Sequence, residues 1–387
     1  MIKTLTAQTS EIDDINAAVK EIQSQLNLEN GLLKNAIGIV ACHYEFVHSG
    51  VLKDVCKAMP FDVAGAISPG QSVPNEHGPL LLTMIVFTSD DTEFVKTITP
   101  SLLDEPGRVI AESYKTLAAA KTEKPSLLLA FAPFMLQNSG DEYVNVLSRA
   151  SDGVPCFGTI AIDDTLDFSN SFMISDGEHY RDRMAMVLFY GDVQPKFFVA
   201  NISQNKIFEK TALVTKSSGH ILMEVNGRPV AEYFEDLGLT KASETQYALS
   251  STPFLIDYND GTPKVSKIFI MLTPEKYALC AGAIPEGSTL YLGSTDRDDV
   301  LLTTGEAINL MLKDINGKTG LLIYSCISRG MTLGAEQFRE IELVRQKLGS
   351  SLPFMMAFSG GEFCPTQVSD DKAINRFHNN AFVACLL

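Results

Sequence analysis

Residues 320–330 read GLLIYSCISRG and residues 352–363 read LPFMMAFSGGEF, and these two stretches decide the fold. Each is a nearly continuous apolar run that ends in small and polar residues, as in a strand whose two faces are both covered. Between them, residues 334–349 (GAEQFREIELVRQKLG) have the spacing of an amphipathic helix. Such a strand–helix–strand crossover makes a parallel pair and is nearly always right-handed. The final run, HNNAFVACLL at 378–387, follows without a helix, so we expect an antiparallel third strand.

The same unit occurs twice more, upstream of this copy. The first copy reads AIGIVACHYEF (36–46), VLKDVCKAM (51–59), FDVAGAISPG (61–70) and GPLLLTMIVFTSDD (78–91). The second reads SLLLAFAPFML (126–136), SGDEYVNVLSRAS (139–151), GVPCFGTIAIDD (153–164) and RDRMAMVLFYGDV (181–193). We therefore predict an α/β to α+β fold of repeated strand–helix–strand–strand units, which give mixed sheets flanked by helices and able to stack.

The segment 196–300 has a different pattern, with short strand signals separated by NG, DG and EG turns. A polar, proline-containing passage near 195–205 precedes it. The sequence therefore predicts two domains, 1–200 with two repeated units and 201–387 with the third.

Composition limits the classes of function. The 387 residues are 45% hydrophobic and 20% charged, with a net charge of −16, so nucleic acid and anionic membranes are disfavoured as partners. Seven cysteines occur without a CxxC pair, and no apolar run reaches the roughly 20 residues that span a bilayer. No HExxH, GxGxxG or GxSxG motif occurs, so we predict no metal or cofactor. These features indicate a cytoplasmic protein without membrane insertion.

The candidate site lies in the third copy, where the carboxyl ends of two parallel strands meet at one sheet edge. Arg329 offers a fork for a carboxylate and Glu362 an acceptor for an ammonium, so together they could bind a small zwitterion. Glycines there would let a ligand approach backbone N–H groups, and the start of the last strand would add a histidine and an asparagine. The predicted ligand-binding residues are Cys326, Ser328, Arg329, Gly360, Gly361, Glu362, His378 and Asn379.

Each of these residues also has a structural interpretation. Arg329 and Glu362 could pair with each other and hold the loop, and the glycines could form only a bulge or a tight turn. Cys326 could be a buried thiol and His378 a structural hydrogen-bonding group. The alternative functions are a cysteine-dependent hydrolase or transferase that uses Cys326 with His378 as base, and a protein-docking adaptor.

Five ordered pieces in the second half resemble the FIST family, bacterial sensory proteins with FIST N-terminal and C-terminal domains. These pieces are VTKSSGHILMEVNGRPVAEYFEDLG (214–238), AIPEGSTLYLG (283–293), IYSCISRG (323–330), FSGGEFCP (358–365) and FHNNAFVACL (377–386). A looser N-terminal match covers GIVACHYEF (38–46), AGAISPG (64–70) and CFGTIAIDD (156–164).

The resemblance implies a non-enzymatic sensing module for small molecules such as amino acids or small carboxylates. It also implies signal transduction through a separate partner, such as a sensor kinase or a chemotaxis-type component. The family's C-x-x-R-G strand end corresponds to Cys326, Arg329 and Gly330, its G-E element to Gly361 and Glu362, and its H-N element to His378 and Asn379.

Overall fold

The computed structural model describes residues 2–135, 138–165, 167–238, 253–349, 351–369 and 372–387. Three units of the predicted kind follow one another along the chain, and the third carries a large insertion. The first contains β1 (Ile2–Thr9), α1 (Ile15–Leu26), α2 (Leu28–Gly31), β2 (Asn35–Cys42), α3 (Glu45–His48), α4 (Val51–Lys57), β3 (Asp62–Ile67), β4 (Gln71–Val73), β5 (Glu76–Gly78) and β6 (Leu82–Ser89).

The second unit has the same order of elements. It contains β7 (Glu93–Ile98), α5 (Pro106–Ala118), β8 (Leu127–Ala132), α6 (Gly140–Ala150), β9 (Cys156–Ile160), β10 (Met173–Ser175), β11 (Glu178–Tyr180) and β12 (Ala185–Tyr190).

The third unit begins with β13 (Lys196–Ala200), and the insertion follows. The insertion contains β14 (Ile207–Ser218), β15 (Ile221–Val225), β16 (Arg228–Pro229), α7 (Val230–Asp236), β17 (Phe254–Asp257), β18 (Val265–Lys267), β19 (Phe269–Leu272), β20 (Ala278–Cys280) and β21 (Thr289–Gly293). The unit then resumes with α8 (Arg297–Lys313), β22 (Leu321–Cys326), α9 (Ile327–Leu333), α10 (Arg339–Leu348), β23 (Phe354–Ser359), β24 (Glu362–Ser369), β25 (Lys372–His378) and β26 (Phe382–Leu386).

The three central sheets have equivalent strand orders: β1-β6-β2-β3-β10-β11, β7-β12-β8-β9-β24-β25 and β13-β26-β22-β23-β4-β5. In each, the two strands that flank the helical crossover are parallel, namely β2 and β3, β8 and β9, and β22 and β23. The last strand of each repeated unit, β6, β12 or β26, runs antiparallel to β2, β8 or β22, respectively. The predicted repeat and its mixed sheets are therefore confirmed.

Each unit extends the sheet of another unit with a β-hairpin. Hairpin β4–β5 of the first unit pairs with β23 of the third, β24–β25 of the third pairs with β9 of the second, and β10–β11 of the second pairs with β3 of the first. This cyclic exchange closes the three units into a ring.

The two faces of the central sheets are buried against different partners. Their inner faces pack together in one core with members from all three units, including Phe87, Phe189 and Tyr324. Their outer faces are covered by helices, as in the clusters around Leu147 and Ile341. Burial on both sides explains the nearly continuous apolar runs of the strands.

The insertion forms an eight-stranded sheet with a separate core. It is joined to the ring by a buried ion pair, in which Lys267 Nζ lies 2.8 Å from Asp141 Oδ2 at the start of α6. Beside that pair, the backbone N–H of Asn379 donates to the carbonyl oxygen of Ser266 at 3.1 Å. These contacts hold the segment that follows β18 against the ends of the ring's strands.

Candidate ligand-binding site

The carboxyl ends of the parallel strands from all three units meet at one place. Backbone hydrogen bonds join them, from Ile162 N–H to Ile67 O at 3.2 Å, from Gly360 N–H to Ile160 O at 2.8 Å and from Phe358 N–H to Gly70 O at 3.0 Å. Strands β22 and β23 are in parallel register with Cys326 opposite Ser359, so their two ends lie at the same edge, as predicted. The strand ends therefore form a common floor.

A cavity of about 350 Å³ lies on this floor, and residues of the insertion line its other side. Its volume is at the lower end of the range for small-molecule sites, and its lining is mostly apolar. The lining residues are Pro69, Pro79, Phe134, Ile162, Asp163, Asp164, Thr165, Phe168, Ile268, Phe269, Ile270, Ala281, Cys326, Ile327, Ser328, Met331, Gln337, Gly360 and Asn379. A wider open groove of about 590 Å³ runs beside α8 and α10, where the charged side chains of Asp298 and Arg339 are exposed to solvent.

Asn379 is the polar residue that distinguishes this cavity. It is 1% exposed, and neither its amide oxygen nor its amide nitrogen has a hydrogen-bond partner among the described residues. Leaving a buried polar group unpaired costs about 1–3 kcal/mol. Asn379 therefore contributes to the cavity wall, while its amide oxygen and nitrogen are themselves buried from solvent.

Arg329 differs from the prediction, because its guanidinium is completely buried and bonded to other groups of the protein. It forms an ion pair of 2.8 Å with Glu340, a residue of α10 that is also completely buried. Its remaining N–H groups donate to Asn201 O at 3.1 Å, to Val300 O at 3.0 Å and to the hydroxyl of Thr304 at 2.8 Å. Arg329 thus joins α8, α9 and α10, does not line the cavity and offers a ligand no free fork.

Glu362 is also completely buried and lies outside the cavity lining. One carboxyl oxygen accepts a hydrogen bond from Ser359 Oγ, and the other has no partner among the described residues. Burial raises the pKa of Glu362 well above its ordinary value. Burial disfavours the charged carboxylate, and Glu362 does not line the cavity, so it does not supply the predicted acceptor for an ammonium group.

The two predicted glycines have different positions. Gly360 lines the cavity, but its N–H is already bonded to Ile160. Gly361 has a φ of 146°, and a Cβ at this position would lie 2.2 Å from the ring of Phe377. Gly361 is therefore needed for close packing against that ring rather than for the approach of a ligand.

Cys326 and His378 do not have the properties of a nucleophile and its base. Burial raises the pKa of the Cys326 thiol to about 12, and burial lowers the pKa of His378 to about 3. His378 lies at the end of β25, not at the start of the last strand, and its Nε2 contacts Cys364 O at 3.1 Å. At neutral pH the thiol is protonated and the imidazole is neutral, so neither group is activated.

Four of the eight predicted residues line the cavity, namely Cys326, Ser328, Gly360 and Asn379, and the other four do not. The prediction missed the contributions of the first two units and of the insertion, such as Pro69, Asp163 and Ile268. Applying the strand-end rule to all three copies would have found Pro69 and Asp163, because they follow β3 and β9. No sequence pattern places Ile268 there.

Comparisons with known proteins confirm the family resemblance that the sequence showed. Residues 36–228 match the family model of the FIST N domain, and residues 229–365 match that of the FIST C domain. No curated protein matches the sequence. The predicted boundary at residue 200 stays a prediction.

Two solved structures align over the whole chain at low similarity. Cyanuric acid hydrolase from A. caulinodans is 10% identical, with 99% of its own chain covered and a TM-score of 0.39. PurL from T. maritima, solved with FGAR, is 10% identical, with 72% of its chain covered and a TM-score of 0.21. At these TM-scores neither likeness says what this chain does.

Proposed function

Because the chain belongs to the FIST family, a family of sensory domains, we propose that it is a non-enzymatic sensory protein that binds a small molecule. The observation that carries the proposal is the cavity of about 350 Å³ at the three strand ends, whose mostly apolar wall also includes the polar residues Ser328 and Asn379. A site of this kind combines a mostly apolar lining with a few polar groups that orient the ligand.

The position of the cavity suits a sensor as well as a binding site. One wall comes from the ring and the other from the insertion, including Ile268, Ile270 and Ala281. A ligand that contacts both walls would favour the closed arrangement of the two parts, and a partner could read that change. We propose a separate signalling protein as this partner, such as a sensor kinase or a chemotaxis-type component.

The chemistry of the cavity supports binding rather than catalysis. Cys326 is a nucleophilic residue type in its lining, and burial raises the pKa of this thiol to about 12. The seven cysteines are all buried free thiols, which supports the proposal of a reducing, cytoplasmic location. No helix in the described ranges is both long and apolar enough to cross a membrane.

A thermal-shift screen tests the proposed function. The compounds are amino acids and small carboxylates, as the sequence analysis suggests. A ligand at a hundredfold excess over its Kd stabilises the folded state by about 2.7 kcal/mol. With an unfolding entropy of about 0.8 kcal/mol/K for a chain of this length, Tm should rise by about 3 °C.

Two variants, each with an alanine replaced by phenylalanine, show whether a compound that raises Tm occupies this cavity. Ala281→Phe places a ring in the cavity, whereas Ala119→Phe adds the same ring at an exposed position after α5 that does not line it. The shift should disappear in Ala281→Phe and persist in Ala119→Phe. A hit that stabilises Ala281→Phe as much as the wild type would contradict this site, and a screen without hits would contradict the function.

A further inference from the structure

We propose that the ligand of this cavity contains an aromatic ring, which packs against the aromatic rings of Phe134 and Phe168. This inference rests on the proposed function and names the chemical class of the ligand. It requires no cation from the protein, and the described residues of the lining include neither a lysine nor an arginine. The aromatic and aliphatic groups of the wall, rather than an ion pair, then select the ligand.

The first observation is an aromatic pair in the lining. Phe134 follows β8 and Phe168 lies in the loop after β9, and both residues line the cavity. Their ring centroids are 5.2 Å apart and their planes are inclined by 61°, which is an edge-to-face contact. Both residues are half-buried, so part of each remains accessible. A third aromatic ring in the cavity would extend the edge-to-face arrangement.

The second observation is the backbone conformation of Phe168. Its φ of 53° lies in the left-handed region, where a bulky side chain is strained. Of the nine described residues other than glycine with positive φ, six are asparagine or aspartate, which tolerate this region, and Phe168 alone is aromatic. Strain of this kind persists only where the surrounding structure imposes it, and it concentrates at ligand-binding and catalytic sites. The strained backbone therefore indicates that an aromatic ring is needed at this position.

The loop around Phe168 holds that conformation. The carboxyl group of Asp163, which is 1% exposed, accepts hydrogen bonds from Thr165 N–H at 2.7 Å and from the hydroxyl of Ser171 at 3.3 Å. The carbonyl oxygen of Phe168 accepts from Ser171 N–H, also at 3.3 Å. These bonds fix the backbone on both sides of Phe168. A ligand therefore does not have to order this loop when it binds, which lowers the entropic cost of binding.

The rest of the lining suits an aromatic ring that carries one polar substituent. Branched apolar side chains come from the three-unit ring and from the insertion, including Ile162 and Ile268. Asp164 and Gln337 also line the cavity and are exposed to solvent. A ligand can therefore bury its aromatic ring and keep its polar substituent near water, so that buried apolar area and aromatic contacts supply the binding free energy.

Two matched pairs of probes test the proposal by isothermal titration calorimetry. One pair is L-phenylalanine and L-cyclohexylalanine, and the other is 2-phenylethanol and 2-cyclohexylethanol. Within each pair the polar group is the same and the saturated ring is the more apolar, so buried area alone would favour the saturated member. In each pair that binds, we expect the aromatic member to bind about 3- to 10-fold more tightly, which corresponds to one aromatic contact.

A double variant connects this preference to the two phenylalanines. Phe134→Leu combined with Phe168→Leu keeps apolar side chains but removes both aromatic rings, so the two members of a pair should bind within about twofold of each other. Phe208→Leu is the matched control. Phe208 is 48% exposed on β14 and does not line the cavity, so this variant should keep the wild-type preference.

Each outcome supports or overturns the ligand class. A saturated member that binds the wild type as tightly as its aromatic counterpart overturns it, and this ratio decides even if a variant does not fold. An aromatic preference that survives in the double variant also overturns it. If no probe binds but another compound loses its Tm increase in Ala281→Phe, the ligand class is wrong and the proposed function stands. If nothing binds in the cavity, both are wrong.

Discussion

Replacing Arg329 with alanine should damage the fold rather than only a ligand site. The substitution leaves Glu340 as a buried carboxylate without its cation, 2.8 Å from the lost guanidinium. It also removes the side-chain donor to the carbonyl oxygen of Asn201 and one of the donors to that of Val300, which still accepts from the Thr303 hydroxyl. Removing one partner of a buried ion pair costs about 3–5 kcal/mol, and we expect Arg329→Ala to lose that much.

The size of the protein converts this loss into a melting temperature. With an unfolding entropy of about 0.8 kcal/mol/K, a loss of 3–5 kcal/mol lowers Tm by about 4–6 °C. Differential scanning calorimetry without ligand measures it directly. Arg339→Ala is the control, because that arginine pairs with Glu342 on the exposed surface of α10 and its loss should leave Tm nearly unchanged.

A double variant separates charge from packing. Arg329→Met combined with Glu340→Leu removes both charges and retains apolar volume, so it should recover part of the lost Tm. If Arg329→Ala melts within about 1 °C of the wild type, the buried pair does not hold α9 and α10 together and our interpretation of Arg329 is wrong.

Two further predictions follow from buried titratable groups. His378 has a pKa of about 3 when folded, so below about pH 6.5 only the unfolded state takes up its proton, and stability should fall with decreasing pH by up to about 1.4 kcal/mol per unit. Denaturant titrations at pH 7, 6 and 5 should show a smaller loss in His378→Gln, and equal pH slopes would contradict this. The Cys326 thiol, with a pKa of about 12, should react with iodoacetamide only after unfolding. Rapid labelling of native Cys326, detected by mass spectrometry, would favour a thiol enzyme instead.

Within the third copy, the sequence located one edge of the cavity but not its chemistry. The strand-end rule correctly brought Cys326 and Ser359 to one edge, since parallel register follows from a short helical crossover. It could not show that Arg329 would turn inward, because its partner Glu340 lies in an amphipathic helix whose other acidic residues are exposed or half-buried. Which of several carboxylates meets a given guanidinium depends on how the helices pack.

The repeated unit was determined by the sequence alone, because strand and helix periods and the burial of both sheet faces are local properties of the chain. The tertiary structure decided which sheet each hairpin joins, since β4, β10 and β24 pair with strands of other units far away in sequence. It also decided that Arg329 is buried against Glu340, and that the buried amide of Asn379 has no hydrogen-bond partner within the described part of the chain. Hydrogen-bond satisfaction depends on every neighbour in space, and three units and an insertion supply those neighbours from across the chain.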